Sequence, residues 1–269
     1  MDLEVVHRRG DANLVSYLKH LASTVRGGSY DDSGGVLTFA GGHAYPGTYT
    51  NGVIRINDAA SPAQVLARAE AFFGPLRRGY AVWIRGHADA DLEAAAQAAE
   101  MFQRPPVEGN PAIAYTGAAI ALPKLDDDVV LQRVDSAETR QQYLEVILEG
   151  YGVGQLPLNL AETVMFNLAS IDDRRVAAFI ASIDGVALSG CMAYTEAATA
   201  GLQWGATLPA ARGRGLGKAT FVAANNAAID EFGADLIVGQ ASQMGVPLWV
   251  SLGFEVVTHY RRYLAKPPK

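Results

Sequence analysis

The stretch that most narrows what this chain can fold into is Thr207 to Lys218, TLPAARGRGLGK. Gly213, Gly215 and Gly217 alternate with Arg212, Arg214 and Leu216, and Lys218 follows. Leu202 to Thr207 reads as a strand leading in, and the alanine-rich run Leu216 to Phe232 as a helix leading out. Glycine removes the Cβ atoms that would keep an anion away from the backbone. The first amides of a helix lack partners within it, and the positive end of its dipole points the same way. Strand, glycine loop and helix together therefore predict a phosphate cradle. Spacing excludes two familiar phosphate loops. A P-loop needs glycine where Arg212 stands and Ser or Thr where Ala219 stands, and the dinucleotide pattern G-x-G-x-x-G is looser by one residue than Gly213, Gly215 and Gly217.

The stretch resembles the acetyl-CoA loop of the GNAT N-acetyltransferases, whose pattern is Arg/Gln-x-x-Gly-x-Gly/Ala. Arg212, Gly215 and Gly217 match it residue by residue, and Pro209 sits where the family often has proline. Relatives continue with a strand, a second helix and a Leu-Gly-Phe turn into a last hairpin, and this chain continues ADLIVGQAS, MGVPLWVSLGF and EVVTHYRRYLA in that order. The resemblance implies an α/β (α+β) fold with a mixed, mostly antiparallel central sheet flanked by helices. It also implies acetyl-CoA as the acyl donor and no metal. The thioester oxygen would meet the backbone at Gly205, Ala206 and Thr207. The donor's phosphates would meet Arg212, Gly213, Arg214, Gly215, Leu216, Gly217 and Lys218. Most of that binding is expected from main-chain amides, with the three basic side chains either countering phosphate or simply solvated. Ser242 falls where many relatives contact the CoA arm, and would do so or cap the helix after it. Trp249 stands where many relatives place a tyrosine that protonates the leaving thiolate. An indole N–H is a donor only.

The N-terminal half carries a similar order of elements. A helix is expected from about Asn13 to Arg26, with Leu14, Leu18, Leu21 and Val25 at helical steps. Val36–Ala40 and Val53–Ile56 read as strands. Ser61-Pro62 opens a helix to about Phe73 in the expected way. Tyr80–Ile84 reads as a strand, Asp91–Phe102 as a helix and Pro111–Tyr115 as a strand. Val53 to Tyr115 thus runs strand, helix, strand, helix, strand, as Leu202 to Thr258 does. The link Asp58 to Pro62 has neither the glycine trio nor a basic residue. The chain then reads as two GNAT-like halves, 1–125 without the CoA loop and 126–269 with it, joined through the acidic run Asp126 to Asp128, a solvated connector. In the second half Val129–Val134 is a strand, and Ser136–Gly150 and Leu158–Leu168 are helices. Asp184-Gly185 turns a hairpin between Arg175–Ile183 and Val186–Tyr194.

At 269 residues and 49% hydrophobic the chain can bury a substantial core, and a net charge of −6 argues against a general nucleic-acid binder. The single cysteine, Cys191 in the apolar stretch LSGCMAY, excludes an internal disulfide and reads as a buried small hydrophobe. No signal stretch or bilayer-length apolar run is present, so a cytoplasmic protein without membrane partners is expected. A monomer or homodimer fits the tandem arrangement. The five histidines are scattered without metal-ligand spacing.

Transfer of an acetyl group to an amine needs the donor held, a hydrogen-bond donor for the thioester oxygen, and a neutral amine. The glutamate that many relatives use as a water-mediated base falls here near Gln203. By residue type Glu196, Glu162 and His259 are candidate bases, and Tyr194 or Tyr260 a candidate acid. The expected function is N-acetyl transfer from acetyl-CoA to a primary amine, of a small molecule or a peptide, by direct attack in a ternary complex. The alternative is an acyl-CoA-binding sensor or scaffold without turnover.

Overall fold

The computed structural model describes residues 1–44, 49–152, 160 and 168–266. Helix α1 (Leu3–Thr24) leads into strands β1 (Ser29–Asp31), β2 (Val36–Ala40) and β3 (Asn51–Arg55). Next come α2 (Pro62–Phe73), β4 (Tyr80–Arg85), α3 (Ala90–Ala98), β5 (Phe102–Gln103) and β6 (Asn110–Tyr115). The second half begins β7 (Val129–Arg133), α4 (Ala137–Gly150), β8 (Val176–Ile183), β9 (Val186–Glu196) and β10 (Thr199–Thr207). It ends with α5 (Leu216–Asp230), β11 (Leu236–Gln240), α6 (Val246–Ser251) and β12 (Glu255–Ala265).

Local chemistry accounts for most of these boundaries. Ser61 and Gln64 form a reciprocal cap ahead of Pro62 in α2, and Ser136 does the same with Thr139 in α4. Asp184 (φ 50°) and Gly185 (φ 77°) make the tight turn between β8 and β9. Three expectations need correcting. Helix α1 starts at Leu3 rather than near Asn13, with Asp2 accepting from the Glu4 N–H at 3.1 Å. Its early turns bury Asp11 and Asn13, so no apolar stripe marked them. The helix expected to reach Phe102 stops at Ala98, because Phe102 joins β5 beside β12. EVVTHYRRYLA, expected to form a hairpin, is one eleven-residue strand, β12. The helix expected over Leu158–Leu168 lies almost wholly outside the described residues.

All the strands join one mixed sheet in the order β1-β2-β3-β4-β12-β6-β11-β10-β9-β8-β7, with β5 on β12. Only β3–β4 and β10–β11 pair in parallel among the described residues. The order is symmetric about the antiparallel pair β12–β6. Each half's last strand pairs in the other half, β6 with β11 and β12 with β4. Helices α1 and α4 cover one face, where Tyr17, Leu18, Tyr143, Met192 and Trp83 are buried. Helices α2, α3, α5 and α6 cover the other, over Val65, Phe73, Leu92, Phe221 and Phe254. Among the described residues no helix is long and apolar enough to cross a membrane.

Candidate active site at the fork of the parallel strands

The glycine loop stands at the carboxyl end of β10. Gly213 and Gly215 both take φ 81°, a conformation that favours glycine. Gly215 directly precedes α5 and has no side chain with which to cap it. The helical ladder begins with Ala219 N–H donating to Gly215 O at 3.0 Å. The amides of Leu216, Gly217 and Lys218 therefore have no partner inside the helix. A Cβ on Gly217 would stand 2.6 Å from Thr207 Oγ1, so this glycine lets the first turn pack onto the strand end. Thr207 is fixed in turn by Ser189, whose hydroxyl lies 2.9 Å from Thr207 Oγ1, 2.9 Å from Ala206 O and 3.2 Å from Thr220 Oγ1.

The basic side chains of the loop are placed differently. Arg212 Nε donates to Thr207 O at 3.3 Å. Arg214 Nη2 pairs with both oxygens of Asp128 at 2.9 Å and with Asp126 at 3.2 Å. The acidic run, expected to be plain connector surface, therefore lies against the loop. These groups are exposed, and ion pairs of this kind are weak in water. Lys218 is half-buried in the first turn of α5.

The strand before the loop is irregular where an oxygen donor is expected. β9 and β10 pair in step to Gln203↔Met192 and resume at Ala206↔Gly190. Between them Trp204 takes φ 47°, which costs a bulky residue about 1–2 kcal/mol. Two phenols hold the bulged carbonyls: Tyr143 Oη donates to Trp204 O at 3.2 Å and Tyr151 Oη to Gly205 O at 3.4 Å. The Trp204 indole donates to the Tyr17 hydroxyl and packs 5.3 Å from the Tyr49 ring and 5.4 Å from the Tyr151 ring. A bulge takes residues out of the ladder and re-aims the backbone. Gly205 is exposed, and a Cβ there would meet only Cys191 Sγ, at 3.7 Å.

Beside the bulge the parallel pair opens into a fork. β10 and β11 pair from Thr199↔Leu236 to Leu202↔Gly239 and then part. On the α5 face the fork is closed by Trp249, packed 3.8 Å from the Phe221 ring and 4.9 Å from that of Phe254. Its ring lies against Gly239, where a Cβ would meet it at 2.8 Å. Ser242 Oγ accepts from Gly245 N–H at 3.1 Å, in the turn that precedes α6.

Of the side chains expected to move protons, Tyr260 lines a cavity on one side of the fork, while Glu196, Tyr194 and His259 do not. Glu196 pairs opposite Thr199, about 26 Å of strand from Thr207. Its Oε2 accepts from Ser16 at 2.8 Å and from Arg175 at 3.0 Å. Tyr194 is fully buried, its hydroxyl 2.9 Å from Ser16 Oγ and its ring 4.9 Å beneath the Arg175 guanidinium. Burial raises its phenol above the ordinary range. Tyr260 bonds to Asp11, and burial pushes its phenol well up. His259 sits opposite Pro111 in the β12–β6 pair, and Glu162 lies outside the described residues. Burial pushes the Cys191 thiol up to about 12, so it is a core side chain rather than a nucleophile.

The matching fork of the N-terminal half is built for closure. Arg55 ends β3 and Arg85 ends β4, and both are buried. Asp89, fully buried, accepts from Arg55 Nε at 2.8 Å and from Arg85 Nε at 2.9 Å. Asp91 takes the remaining Arg55 nitrogens at 2.6 and 3.0 Å, and Asp11 takes Arg85 Nη1 at 3.1 Å. The first amides of α2 are met by the Ser61–Gln64 cap, where α5 has none.

On the face opposite Trp249 the active fork opens into a cavity under α1. Its floor is Gln203, Gly239, Gln240, Ala112 and Thr258, and its roof is α1 from Val6 to Leu14. Thr258, Ala112 and Gln240 are side by side on adjacent strands, so their side chains share this face. Gly10 of α1 lets the helix approach the sheet, a Cβ there meeting Val238 at 3.6 Å. Of the polar residues that line it, Gln203 and Tyr260 are among those considered for a role from the sequence, whereas Asn13, Gln240 and Thr258, from three different elements, are not.

No protein-family model and no curated protein sequence matches the chain. Its fold is that of the GNAT acetyltransferases in their tandem form. A GCN5-related N-acetyltransferase from Kribbella flavida superposes with a TM-score of 0.71 at 17% identity, covering 97% of this chain and 96% of that one. A tandem GNAT protein from the clavulanic acid biosynthesis pathway gives 0.62 at 12% identity, again covering 97% and 96%. A GCN5-related N-acetyltransferase from Sphaerobacter thermophilus gives 0.59 at 12% identity, over 87% and 80%.

Proposed function

We propose that this protein is an N-acetyltransferase that moves the acetyl group of acetyl-CoA to a primary amine by direct attack in a ternary complex. The observation that carries the reading is the uncapped start of α5, whose amides face the glycine loop at the mouth of the β10–β11 fork. The donor's pyrophosphate is expected at Gly213 to Lys218, chiefly on main-chain N–H groups. Displacing Asp126 and Asp128 from Arg214 would add a charge contact. The bulge from Trp204 to Ala206 would supply an N–H to the thioester oxygen as charge develops there. The amine nitrogen attacks the carbonyl carbon, the C–N bond forms and the C–S bond breaks. The thiolate leaves and the proton shed by the nitrogen ends on it, giving the amide and free CoA thiol. This scheme needs neither Glu196 nor Tyr194, which are engaged by Ser16 and Arg175. The acceptor amine belongs to a small molecule or a peptide.

The second reading, acyl-CoA binding without turnover, is favoured by one observation: Trp249 fills the fork where relatives place their acid. Calorimetric titration with acetyl-CoA, followed by thiol release across a panel of primary amines, separates the two. Binding with amine-dependent release is the expected result. Binding without release from any amine would establish the second reading, and absence of binding would remove both.

A further inference from the structure

The cavity under α1 has a chemistry of its own. Asn13 is 2% exposed, and its side-chain amide is oriented by two backbone carbonyls, donating to Thr199 O at 2.9 Å and Tyr194 O at 3.2 Å. With the nitrogen fixed this way, Oδ1 points away from those carbonyls, and it has no hydrogen-bond partner among the described residues. Gly201 is glycine because a Cβ there would collide with this oxygen. Gln240 Oε1, across the floor, is likewise buried and without a partner among the described residues. Leaving a buried acceptor unmatched costs about 1–3 kcal/mol, so two in one cavity mark a place for a donor.

The rest of the lining narrows the choice. Val6, Leu14, Val238 and Val257 make it largely apolar. The nearest carboxylate, Asp11, is occupied by Arg85, His87 and Tyr260. His7 donates its Nε2–H to Val257 O at 3.0 Å and stacks on His87 at 4.0 Å. Among the described residues no carboxylate lines the cavity, and its amide oxygens stand beside Gln203 and Gly239 where the strands part.

The geometry points to this cavity as the acceptor site, one that takes a small primary alkylamine through N–H donation to Asn13 Oδ1 and Gln240 Oε1. The assignment rests on the transferase reading for its purpose, but not for its chemistry. An amine with at least two N–H groups carries a donor for each oxygen. A quaternary ammonium has no N–H to give, and a carboxylate would bring lone pairs against lone pairs.

The test uses the full chain without acetyl-CoA and saturation-transfer NMR with n-butylamine, butyrate and butyltrimethylammonium as probes. Butylamine alone is expected to receive saturation. Gln240→Leu should weaken it at least fivefold, and Gln240→Glu, which turns an amide oxygen into a carboxylate, should tighten it, with both variants melting as the parent does. Equal transfer to all three probes, or butylamine binding untouched in both variants, overturns the assignment. The transferase reading fails separately. Butylamine binding without any acetyl-CoA binding would remove the transferase and leave the amine site. Amine-dependent thiol release that is unchanged in Gln240→Leu would keep the transferase and remove the site.

Discussion

The residues that matter most at the loop before α5 are those lacking side chains. Gly217 shows this without a special backbone angle, because its constraint is a neighbour: Thr207 Oγ1 would lie 2.6 Å from a Cβ. Gly217→Ala must push the first turn of α5 off the strand end, an overpacking that costs roughly 1–3 kcal/mol. We expect acetyl-CoA affinity, read by calorimetry, to fall at least tenfold, while circular dichroism remains that of the parent. Unchanged affinity would mean that the loop is not the donor site. Gly213→Ala contrasts with it, since no atom lies within 4 Å of a Cβ there and only its φ of 81° opposes the change. That these glycines lead from a strand into a helix was legible in the sequence, although the separate reasons for each were not. Nothing in the sequence distinguishes a glycine that turns the chain from one that admits a threonine.

Among the elements, the bulged β10 is the one whose geometry is imposed from outside. Trp204 holds a left-handed angle because Tyr143 and Tyr151 take the carbonyls of the bulge and Tyr17 takes its indole. Tyr143→Phe leaves a buried carbonyl with one donor fewer, at a cost of about 1–3 kcal/mol. The expected result is a lower melting temperature together with a lower kcat for thiol release, while acetyl-CoA affinity is kept, because the phosphates are held elsewhere. Loss of stability with an unaltered kcat would sever the bulge from catalysis. Elements of this kind explain how far the sequence could be read. Ser61-Pro62, Ser136 and Asp184-Gly185 announce their caps and turn within a few residues. The first turns of α1 do not, because Asp11 and Asn13 face inward to partners more than seventy positions away. The cavity escaped for the same reason, since Asn13, Gln203, Gln240 and Thr258 meet only through the sheet order.

At the scale of the molecule, the two halves share a sheet. Removing residues 1–125 would take β4 and β6 from the two sides of β12 and expose Tyr260 and Tyr263, each now buried. The fragment 126–269 is expected to be insoluble or to bind a hydrophobic dye strongly, as judged by sedimentation and fluorescence, whereas the full chain should unfold in one transition. A soluble, cooperatively folding fragment would show that the second half closes its sheet unaided. The sequence disclosed the repeated order of elements but not this interchange, because strand pairing across such separations leaves no local pattern.

The exchange of last strands also sets a schedule. β12 is the last of the strands in chain order, yet it is the neighbour that β4 and β6 require. During synthesis the first half emerges with the facing edges of both strands bare, and it stays so until β12 has been made. Unpaired edges are templates for other chains, so a growing polypeptide of this kind depends on something else to shield them. β12 acts as a latch, and the sheet becomes whole only when it closes between β4 and β6.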